Sequence, residues 1–435
     1  MTNIQKYAKR RADLLAQMRC GIAIVPTAPE RLRNRDSAYL YRFDSYFYYL
    51  CGFQEPEAVL VLVAGTEPQC LLFCRERNLE REIWDGFRYG PDAARETFGV
   101  DAAYAIDQLE EKLPALMANQ QALHYAVGAD PVWDERIMRW LNQVRAQSRV
   151  GVSAPQNICD IRSVLDEMRV IKDESELNLM RRAAGISARA HERAMRATRP
   201  GRMEYEIEAE LLYEFRRNGA QFPAYWPIVA GGANACVLHY SENSARLEDG
   251  ALLLIDAGCE LDGYASDITR SFPVNGKFSG AQKDVYELVL AAQIAAIGAT
   301  APGAIWDAPH EAAVRVLAQG MVDFGLCQGS VDKVIETGDY KRFYMHRTGH
   351  WLGLDVHDAG EYKYDGKWRA LREGMTLTVE PGCYIRAAQD VPKAYWNIGV
   401  RIEDDVLVTK EGCEVITAAT PKSIAAIEAL VGHGG

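Results

Sequence analysis

The sequence predicts a mixed α/β (α+β) protein built from two domains. Three observations support this prediction: a length of 435 residues, a composition that is 48% hydrophobic and 25% charged, and short apolar runs that alternate with stretches of helical spacing. A chain of this size and composition can bury more than one globular core. A segment with Gly, Ser, Pro and Asn follows residue 150, and we place the domain boundary there, giving domains 1–165 and 166–435.

The charge of the chain limits its partners. The formal net charge is −11, and an acidic surface disfavours nucleic acid or an anionic membrane as the main partner. No apolar run approaches the roughly 18 residues of a transmembrane helix, and the N-terminus lacks the apolar core of a signal peptide. The ten cysteines show no disulfide spacing, which is typical of a reducing compartment. We therefore expect a cytoplasmic protein with no membrane and no nucleic acid among its partners.

Apolar periodicity predicts the elements of the first domain. Cys70 and Cys74 fall in one predicted strand, where we interpret them as buried thiols rather than metal ligands. Residues 33–53 are rich in Tyr and Arg, and they form either a pocket wall or subunit contact, or aromatic core packing. The predicted elements are a helix over 4–19, a strand over 21–25, strands over 57–64 and 69–74, a helix over 107–117 and a strand over 122–127.

The second domain begins with a helix-start signal. Asp173 and Glu176 have the spacing of a capping box, and the helix they begin runs to Ala197. The order helix, helix, strands occurs twice, which indicates a weak internal repeat with a site between its halves. The further predicted elements are helices over 204–217, 280–299 and 306–324, and strands over 251–257, 264–272, 374–380 and 399–409.

Two aspartates lie on neighbouring predicted strands. Asp256 ends the apolar run ALLLIDA, and Asp267 lies on the strand that returns after ELDG. A turn over residues 261–262 places Asp256 opposite Asp267, whereas a turn over 262–263 places it opposite Thr269 with Asp267 diagonal. Both registers leave the two acids on one face, because strand faces alternate with period two. Two carboxylates this close repel each other unless a cation joins them.

A histidine-rich segment and two further acids complete the candidate site. The segment YMHRTGHWLGLDVHD holds three of the eight histidines, and its glycines allow close backbone approach. One imidazole with four carboxylates suits two divalent ions such as Mn, Co, Fe or Mg better than a structural zinc site. Each residue alone is more often solvated or hydrogen-bonded, so the prediction depends on the joint pattern. The candidates are Asp256, Asp267, His350, Glu380 and Glu403, with Arg401 on the same strand face as Glu403.

Several motifs resemble those of a known family. The segments IDAGCELDGYASDITR, HRTGHWLGLDVHD, TLTVEPG and GVRIEDD are similar to the pita-bread metallopeptidases. Within these, RNRDSAYLYRFDSYFYYLCGFQEPEAVLVL resembles the N-terminal domain of the bacterial aminopeptidase P (Xaa-Pro aminopeptidase) family. Methionine aminopeptidase lacks such a domain. The resemblance covers most of the chain and implies a smaller N-terminal α/β domain followed by a catalytic pita-bread domain.

The resemblance also implies metal-binding roles. Asp256 would bind one metal, and His350 with Glu380 would bind the other. Asp267 and Glu403 would bind both. The family's bacterial members are tetrameric and usually use Mn²⁺, so we expect two divalent ions, with Mn²⁺ first and Co²⁺, Fe²⁺ or Zn²⁺ as alternatives. Paired ions of this kind can hold a bridging hydroxide that attacks an amide carbonyl.

Catalytic roles follow from the same resemblance. Glu380 would carry a proton from the bridging water to the leaving proline nitrogen. His357 would stabilise the tetrahedral oxyanion. His239, in VLHYSEN, would lie on the substrate side of the site, while His346 and Arg401 would support the metal ligands.

The expected partners are peptides with proline at the second position and further copies of the same chain, as a tetramer or dimer. Asp36, Trp84 and Tyr225 are candidates for substrate binding, and Trp84 could come from a neighbouring subunit. One departure concerns Arg347, which stands where some family members carry a smaller, glycine-led triplet. It adds bulk and charge near the mouth of the site, so the departure concerns substrate preference rather than metal binding.

Two rival functions remain open at this stage. A prolidase would accept only Xaa-Pro dipeptides, whereas an aminopeptidase also cleaves longer peptides. A non-catalytic scaffold could use the same fold for binding. A complete set of proposed ligands disfavours the scaffold, and it also disfavours creatinase, a relative that works without metal.

Overall fold

The structure is a computed structural model that describes residues 3–433. The chain divides into two compact units, Met1–Met168 and Arg169–Gly435. The predicted domain limit at 165/166 lies close to this division and stays a prediction. The outermost residues of the two predicted domains, 1–2 and 434–435, lie outside the described part of the chain. Within residues 3–433, no helix combines the length and the apolar character needed to cross a membrane.

A six-stranded mixed sheet forms the centre of the first unit, in the order β4-β3-β2-β1-β5-β6. The pairs β1–β2 and β2–β3 are antiparallel, and the other three pairs are parallel. Cys70 and Cys74 are buried in β3, as the packing interpretation expects. The strands are β1 (Gly21–Pro26), β2 (Val59–Ala64), β3 (Gln69–Cys74), β4 (Ala102–Ala105), β5 (Ala122–Tyr125) and β6 (Asn157–Asp160).

Helices cover this sheet, and the sequence analysis missed several of them. Most of those missed have seven to nine residues, too few turns to show a helical period. The longer α6 has a start signal that was overlooked: Asp130 accepts a hydrogen bond from the Val132 N–H, and Pro131 follows it. The helices are α1 (Asn3–Met18), α2 (Ser45–Cys51), α3 (Leu79–Asp85), α4 (Gly90–Phe98), α5 (Leu109–Met117), α6 (Pro131–Arg145) and α7 (Arg162–Val170), which runs across the division point.

Small antiparallel sheets carry the strands of the second unit. Their orders are β11-β10-β7, β12-β9-β8, β13-β14, β15-β18-β19 and β16-β17. The strands are β7 (Phe222–Pro223), β8 (Ile228–Gly231), β9 (Leu252–Asp256), β10 (Cys259–Leu261), β11 (Tyr264–Ala265), β12 (Thr269–Pro273), β13 (Lys363–Tyr364), β14 (Lys367–Trp368), β15 (Thr376–Val379), β16 (Gly382–Ile385), β17 (Ile398–Arg401), β18 (Asp404–Val408) and β19 (Cys413–Val415).

Two helix pairs pack against these sheets around one large apolar core. The predicted capping box is confirmed, because Asp173 accepts from the Glu176 N–H and the Glu176 carboxylate accepts from the Asp173 N–H. The helices are α8 (Glu174–Ala197), α9 (Glu204–Arg217), α10 (Gly280–Gly298), α11 (Ala308–Asp323), α12 (Val331–Thr337) and α13 (Ile424–Leu430). A pair of helices followed by a group of strands thus occurs twice along this unit, in the order that the sequence predicts.

The single strand predicted over 399–409 is wrong. The chain forms β17 up to Arg401 and β18 from Asp404, with a break at Ile402 and Glu403. The break arises because β17 pairs with β16 whereas β18 pairs with β15, so the chain passes from one sheet to the other. This crossing places Glu403 at the junction, where its side chain lines a cleft.

Candidate active site

The first acid pair lies on a hairpin. β9 ends at Asp256, which pairs with Thr269, so Asp267 is the diagonal neighbour. Of the two predicted registers, the structure has the second. A two-residue turn sets it, in which Asp262 and Gly263 both have positive φ, 50° and 85°. Such a turn joins antiparallel strands with matching twist, and it fixes which face each aspartate occupies.

The second acid pair lies at the ends of two other strands. The pairing of Val379 with Asp404 places Glu380 and Glu403 next to each other just beyond the paired residues. The Thr269 hydroxyl donates to Glu403 Oε2 at 2.6 Å, and the Glu403 N–H donates to the Thr269 carbonyl at 3.1 Å. These two hydrogen bonds join the β9–β12 pair of strands to the β15–β18 pair, so that the four carboxylates meet in one cleft.

His350 completes the cluster from the histidine-rich segment. Its Nδ1–H donates to the Trp351 carbonyl at 2.9 Å, which leaves Nε2 as the nitrogen that faces the acids and could bind a metal once deprotonated. Nε2 lies 3.4 Å from Asp267 Oδ2 and 3.8 Å from Glu380 Oε1. Ligand atoms of Asp267, His350 and Glu403 all lie within 4.8 Å of one another. This is the tautomer and the spacing that a metal ligand requires.

Asp256 accepts hydrogen bonds from one cationic and one neutral side chain. Arg401 Nη2 donates to Asp256 Oδ2 at 2.6 Å, and the Tyr225 hydroxyl donates to Asp256 Oδ1 at 2.6 Å and also contacts Asp267. Tyr225 therefore lies against the two aspartates and also lines the cleft, and its role in substrate binding stays a prediction. Burial, with the two aspartates, raises the pKa of its phenol well above the ordinary value, so Tyr225 is a neutral donor here.

A chain of hydrogen bonds connects Arg401 to His346. Arg401 Nη1 donates to the Tyr384 hydroxyl at 2.9 Å, and that hydroxyl donates to His346 Nε2 at 2.8 Å. His346 Nδ1–H donates to the Arg347 carbonyl at 2.7 Å and lies 3.8 Å from Glu380 Oε2. Burial and the positive charge of Arg401 lower the pKa of His346 to about 3, so this imidazole is neutral.

The cleft around these residues has a volume of about 920 Å³. His239 and His357 lie on its walls, and the ring of His357 lies 4.4 Å from that of His350, edge to face. Burial and the neighbouring His350 lower the pKa of His357, which favours its neutral form. A cleft of this size accommodates a short peptide beside the acids.

The acids of the cluster are removed from water and have too few cations nearby to balance their charge, and this determines their pKa values. Burial, then Asp267 and Glu380, raise the pKa of Glu403 well above its usual range. Burial also raises the pKa of Glu380 to about 7, against the opposing effects of His350 and Arg401. Burial alone would lower the pKa of His350, but hydrogen bonding and charge from Asp267 and Glu380 raise it to about 9. Without bound cations, the cluster would therefore hold protons.

This donor set fits divalent metal ions. Four carboxylates and one imidazole are hard ligands, and two doubly charged ions would remove the repulsion that raises these pKa values. Asp267 contacts His350 through Oδ2 and shares the Tyr225 hydroxyl with Asp256 through Oδ1, an arrangement that suits ligand sharing between two ions.

The structure brings together most of the predicted site residues and leaves two elsewhere. Asp36 and Trp84 belong to the first unit, where both are exposed, Trp84 at 82%. Their role in substrate binding stays a prediction. All other predicted residues line the cleft: Tyr225, His239, Asp256, Asp267, His346, His350, His357, Glu380, Arg401 and Glu403.

Sequence reasoning missed Tyr384 and Thr269. A tyrosine in an apolar strand is ordinarily read as core packing, which explains the first omission. The signal was available, because Gly382 pairs with Arg401 and Tyr384 pairs with Gly399, which puts Tyr384 on the face of Arg401. Thr269 required knowledge of the register, since only one of the two alternatives places it opposite Asp256.

Comparison with known proteins identifies the class. The family model for metallopeptidase family M24 matches residues 178–410, and the model for the aminopeptidase P N-terminal domain matches residues 7–125. The chain belongs to metallopeptidase family M24. In sequence order, an aminopeptidase P N-terminal domain is followed by the pita-bread catalytic domain of that family.

Particular relatives sharpen this result. The chain is 46% identical to the Xaa-Pro aminopeptidase of Haemophilus influenzae over 98% of this chain and 97% of the relative, and 45% identical to that of Escherichia coli with the same coverage. The solved aminopeptidase PepP of Pseudomonas aeruginosa superposes with a TM-score of 0.97 at 52% identity, covering 99% and 98% of the two chains. A zinc-substituted E. coli aminopeptidase P, solved with product, gives a TM-score of 0.96 at 44% identity, covering 99% and 98%.

Proposed function

We propose that this chain is a dinuclear metal-dependent aminopeptidase that hydrolyses the bond between an N-terminal residue and a following proline. The observation that carries the proposal is the convergence of two buried carboxylates, two half-buried carboxylates and the Nε2 of His350 in a peptide-sized cleft. The names of the relatives supply the substrate class. A tertiary amide is the distinguishing feature of such a substrate, because proline within a peptide has no N–H.

Five side chains would hold the metal ions. Asp256 would bind one ion, His350 and Glu380 the other, and Asp267 and Glu403 both. We propose Mn²⁺, with Co²⁺, Fe²⁺ or Zn²⁺ as alternatives; the zinc-substituted relative shows that a related site accepts zinc. When bound, such ions would lower the pKa of a water molecule so that it can attack as hydroxide, and they would polarise the substrate carbonyl.

Glu380 would move the proton. It would accept a proton from the attacking water and give it to the proline nitrogen as the C–N bond breaks. Its carboxylate borders the cleft and lies within 3.8 Å of both His346 Nδ1 and His350 Nε2. This position, beside the cleft and next to the two imidazoles, supports the role of proton carrier.

The histidines and Arg401 would act on the substrate and on the ligands. His357, neutral and on the wall beside His350, would donate to the oxyanion. His239 would contact the peptide beside the scissile bond. Arg401 would orient Asp256, and through Tyr384 it would also orient His346.

A metal series on three substrate lengths tests the function. Metal-free protein is loaded in turn with Mn²⁺, Co²⁺, Fe²⁺ and Zn²⁺ and assayed on Gly-Pro, Gly-Pro-Leu and Arg-Pro-Pro. Release of the first residue from both tripeptides supports the aminopeptidase. Cleavage of Gly-Pro alone would instead identify a prolidase, and metal loading without turnover of any peptide would identify a non-catalytic scaffold.

The variant Glu380→Ala tests the proton transfer. We expect a fall in kcat of at least about 10³-fold, because the group acts as acid and base, with an unchanged far-UV spectrum. The control is Glu361→Ala, which removes an exposed carboxylate elsewhere on the cleft wall. Near-normal turnover by Glu380→Ala with metal bound would contradict the proposed role.

The remaining proposals concern the cell and the assembly. We propose a cytoplasmic homotetramer, or a dimer, in keeping with the acidic composition and the resemblance to bacterial aminopeptidase P. Sedimentation velocity at several concentrations measures the assembly, and cell fractionation measures the location.

A further inference from the structure

We propose that Arg347, together with Lys363 and Trp368, binds a carboxylate of the peptide on the C-terminal side of the scissile bond. The carboxylate is either the α-carboxylate of a tripeptide or an acidic side chain at the third residue. The inference rests on the proposed function and adds a substrate preference to it. Arg347 is also the position at which the histidine segment departs from the smaller triplet of some relatives.

The three residues form one cluster at the mouth of the cleft. The Arg347 guanidinium carbon lies 5.0 Å from the centre of the Trp368 ring, and Lys363 Nζ lies 3.9 Å from it. All three line the same cleft as Glu380 and His350. Two cations against one aromatic ring provide both charge and a flat apolar surface, which suits the end of a peptide.

The hairpin that carries Lys363 and Trp368 is held in place. Lys363 and Trp368 are directly paired across it. The next residue, Arg369, is buried, stacks 5.6 Å from the Trp351 ring and donates to the Glu361 carbonyl at 2.9 Å. A rigid support of this kind means that the cations need little reordering when an anion binds.

The charges at the mouth of the cleft favour the binding of one carboxylate at a defined position. They do not favour a general attraction of anions. Arg347 forms an ion pair with Asp307, and Glu361 also lines the cleft, so the cations are partly offset. However, a guanidinium has five N–H donors, and one carboxylate cannot accept them all. The Arg347 side chain is 47% exposed, which leaves it accessible from the cleft.

The direction of the substrate follows from the reaction. An aminopeptidase accepts peptides of different lengths, so the N-terminal residue must lie at the closed end and the remainder must leave through the mouth. Asp267 and Glu403 are buried at the closed end, whereas Arg347 and Lys363 are accessible at the mouth. Groups beyond the proline therefore pass the cluster, and a tripeptide brings its α-carboxylate closest to it.

Pairs of peptides that differ only in one carboxylate separate the effect of its charge from the effect of packing against the cleft. Gly-Pro-Leu is compared with its C-terminal amide, and Gly-Pro-Glu amide with Gly-Pro-Gln amide, so that the two sources of carboxylate are tested apart. The variants are Arg347→Met, which keeps an apolar chain beside Trp368 without charge, and Arg347→Lys, which keeps the charge. The matched control is Arg315→Met, because Arg315 is 67% exposed and pairs with Asp332 outside this cleft.

We expect the wild type to prefer at least one of the two carboxylates over its neutral counterpart by about tenfold in kcat/KM, through KM, as a charge-assisted hydrogen bond would give. Arg347→Met should reduce this preference to about one, while Arg347→Lys keeps part of it and Arg315→Met all of it. An equal preference in wild type and Arg347→Met overturns the inference. If Arg347→Met does not fold, Lys363→Met replaces it with the same expected loss.

A binding measurement keeps this test separate from turnover. Calorimetry with Pro-Leu and Pro-Leu amide, which retain the part beyond the scissile bond, should show the same preference and its loss in Arg347→Met. A preference that is present here, in a protein that cleaves nothing, would remove the proposed function and leave the carboxylate site. No preference for the acid in the wild type, in either calorimetry or kinetics, overturns the carboxylate site.

Discussion

Glu403 and Asp404 are neighbours in sequence, are equally buried and have opposite surroundings. Glu403 points into the cleft, where Asp267 and Glu380 add to the effect of burial, and its pKa lies well above the usual range. For Asp404, burial also favours the protonated form, but Arg270 and Lys422 outweigh it and lower the pKa. Asp404 accepts hydrogen bonds from Arg270, Lys422, Gln293 and Thr417 at 2.6 to 2.8 Å.

The difference shows what the fold provides by itself. Asp404 accepts hydrogen bonds from two cations of the chain, whereas the carboxylate of Glu403 faces other acids in the cleft and accepts a hydrogen bond from the neutral Thr269 hydroxyl. An unpaired buried charge is costly, so a cluster of this kind needs a cation from outside or must hold protons. We therefore interpret Asp404 as a structural group and propose Glu403 as a metal ligand, and the predictions below test the cleft and the structural network in turn.

The largest effect should come from neutralising each acid in turn. Glu403→Gln should lower kcat/KM by about 10³-fold or more, roughly 4 kcal/mol of transition-state stabilisation, with stability of the metal-free protein unchanged or higher. Asp404→Asn should instead destabilise the fold by about 3–5 kcal/mol, because Arg270 and Lys422 lose their charged partner. Denaturant unfolding and metal analysis of both variants check this, and a large stability loss in Glu403→Gln would remove the contrast.

His357→Ala should have the next largest effect. Loss of an oxyanion donor lowers kcat by about 10²–10³-fold. Metal content should stay nearly intact, because His357 contacts His350 by its ring and lies outside the proposed ligand set. Metal analysis together with kcat measures both quantities. If the variant loses metal, His357 is itself a ligand.

Metal affinity should depend on pH. In the metal-free protein the pKa values of Glu380, about 7, and His350, about 9, are raised above their ordinary values, so the folded protein holds extra protons between about pH 4.5 and 9. These groups therefore contribute stability to the metal-free protein that is lost as the pH rises. Metal ions must displace the same protons, so they bind more tightly at higher pH. For each proton displaced, affinity rises about tenfold per pH unit.

The measurement is the difference in thermal stability between metal-loaded and metal-free protein at each pH. The pKa of the buried His191 is lowered to about 4, chiefly by burial, and it has the opposite pH dependence, but it contributes alike to both forms and cancels. We expect the difference to grow from pH 5 to pH 8. A constant difference would mean that metal binding releases no protons.

The smallest effect should come from Lys422→Met. Lys422 Nζ donates to Asp404 Oδ2 and to Gln293 Oε1, but the 2.7 Å contact from Arg270 to Asp404 remains. We expect a loss of about 1–2 kcal/mol in unfolding free energy and unchanged kcat. Equilibrium denaturation with a parallel activity assay measures both, and a change in kcat without a change in stability would connect Asp404 to the cleft.

Much of the candidate site could be predicted because its acids end apolar strands. Asp256 and Glu380 each follow a run whose burial is evident from composition, so an acid there is conspicuous. The register between Asp256 and Asp267 remained open, because both turns satisfy the same alternation. The break before Asp404 was missed because GVRIEDDVLVT reads as continuous strand, and only the change of pairing partner divides it. Tyr384 was missed because a buried phenol and a core aromatic look alike in sequence.

The turn at Asp262 and Gly263 determines which changes in chain length this protein can accept. Surface turns ordinarily tolerate insertions, but side chains alternate along a strand. One residue added between positions 256 and 267 would turn Asp267 from the cleft into the apolar core. Two added residues would keep its face but move it along the strand by about 6.6–6.8 Å, beyond the reach of His350. Deletions and insertions in this hairpin should therefore be tolerated far less than substitutions.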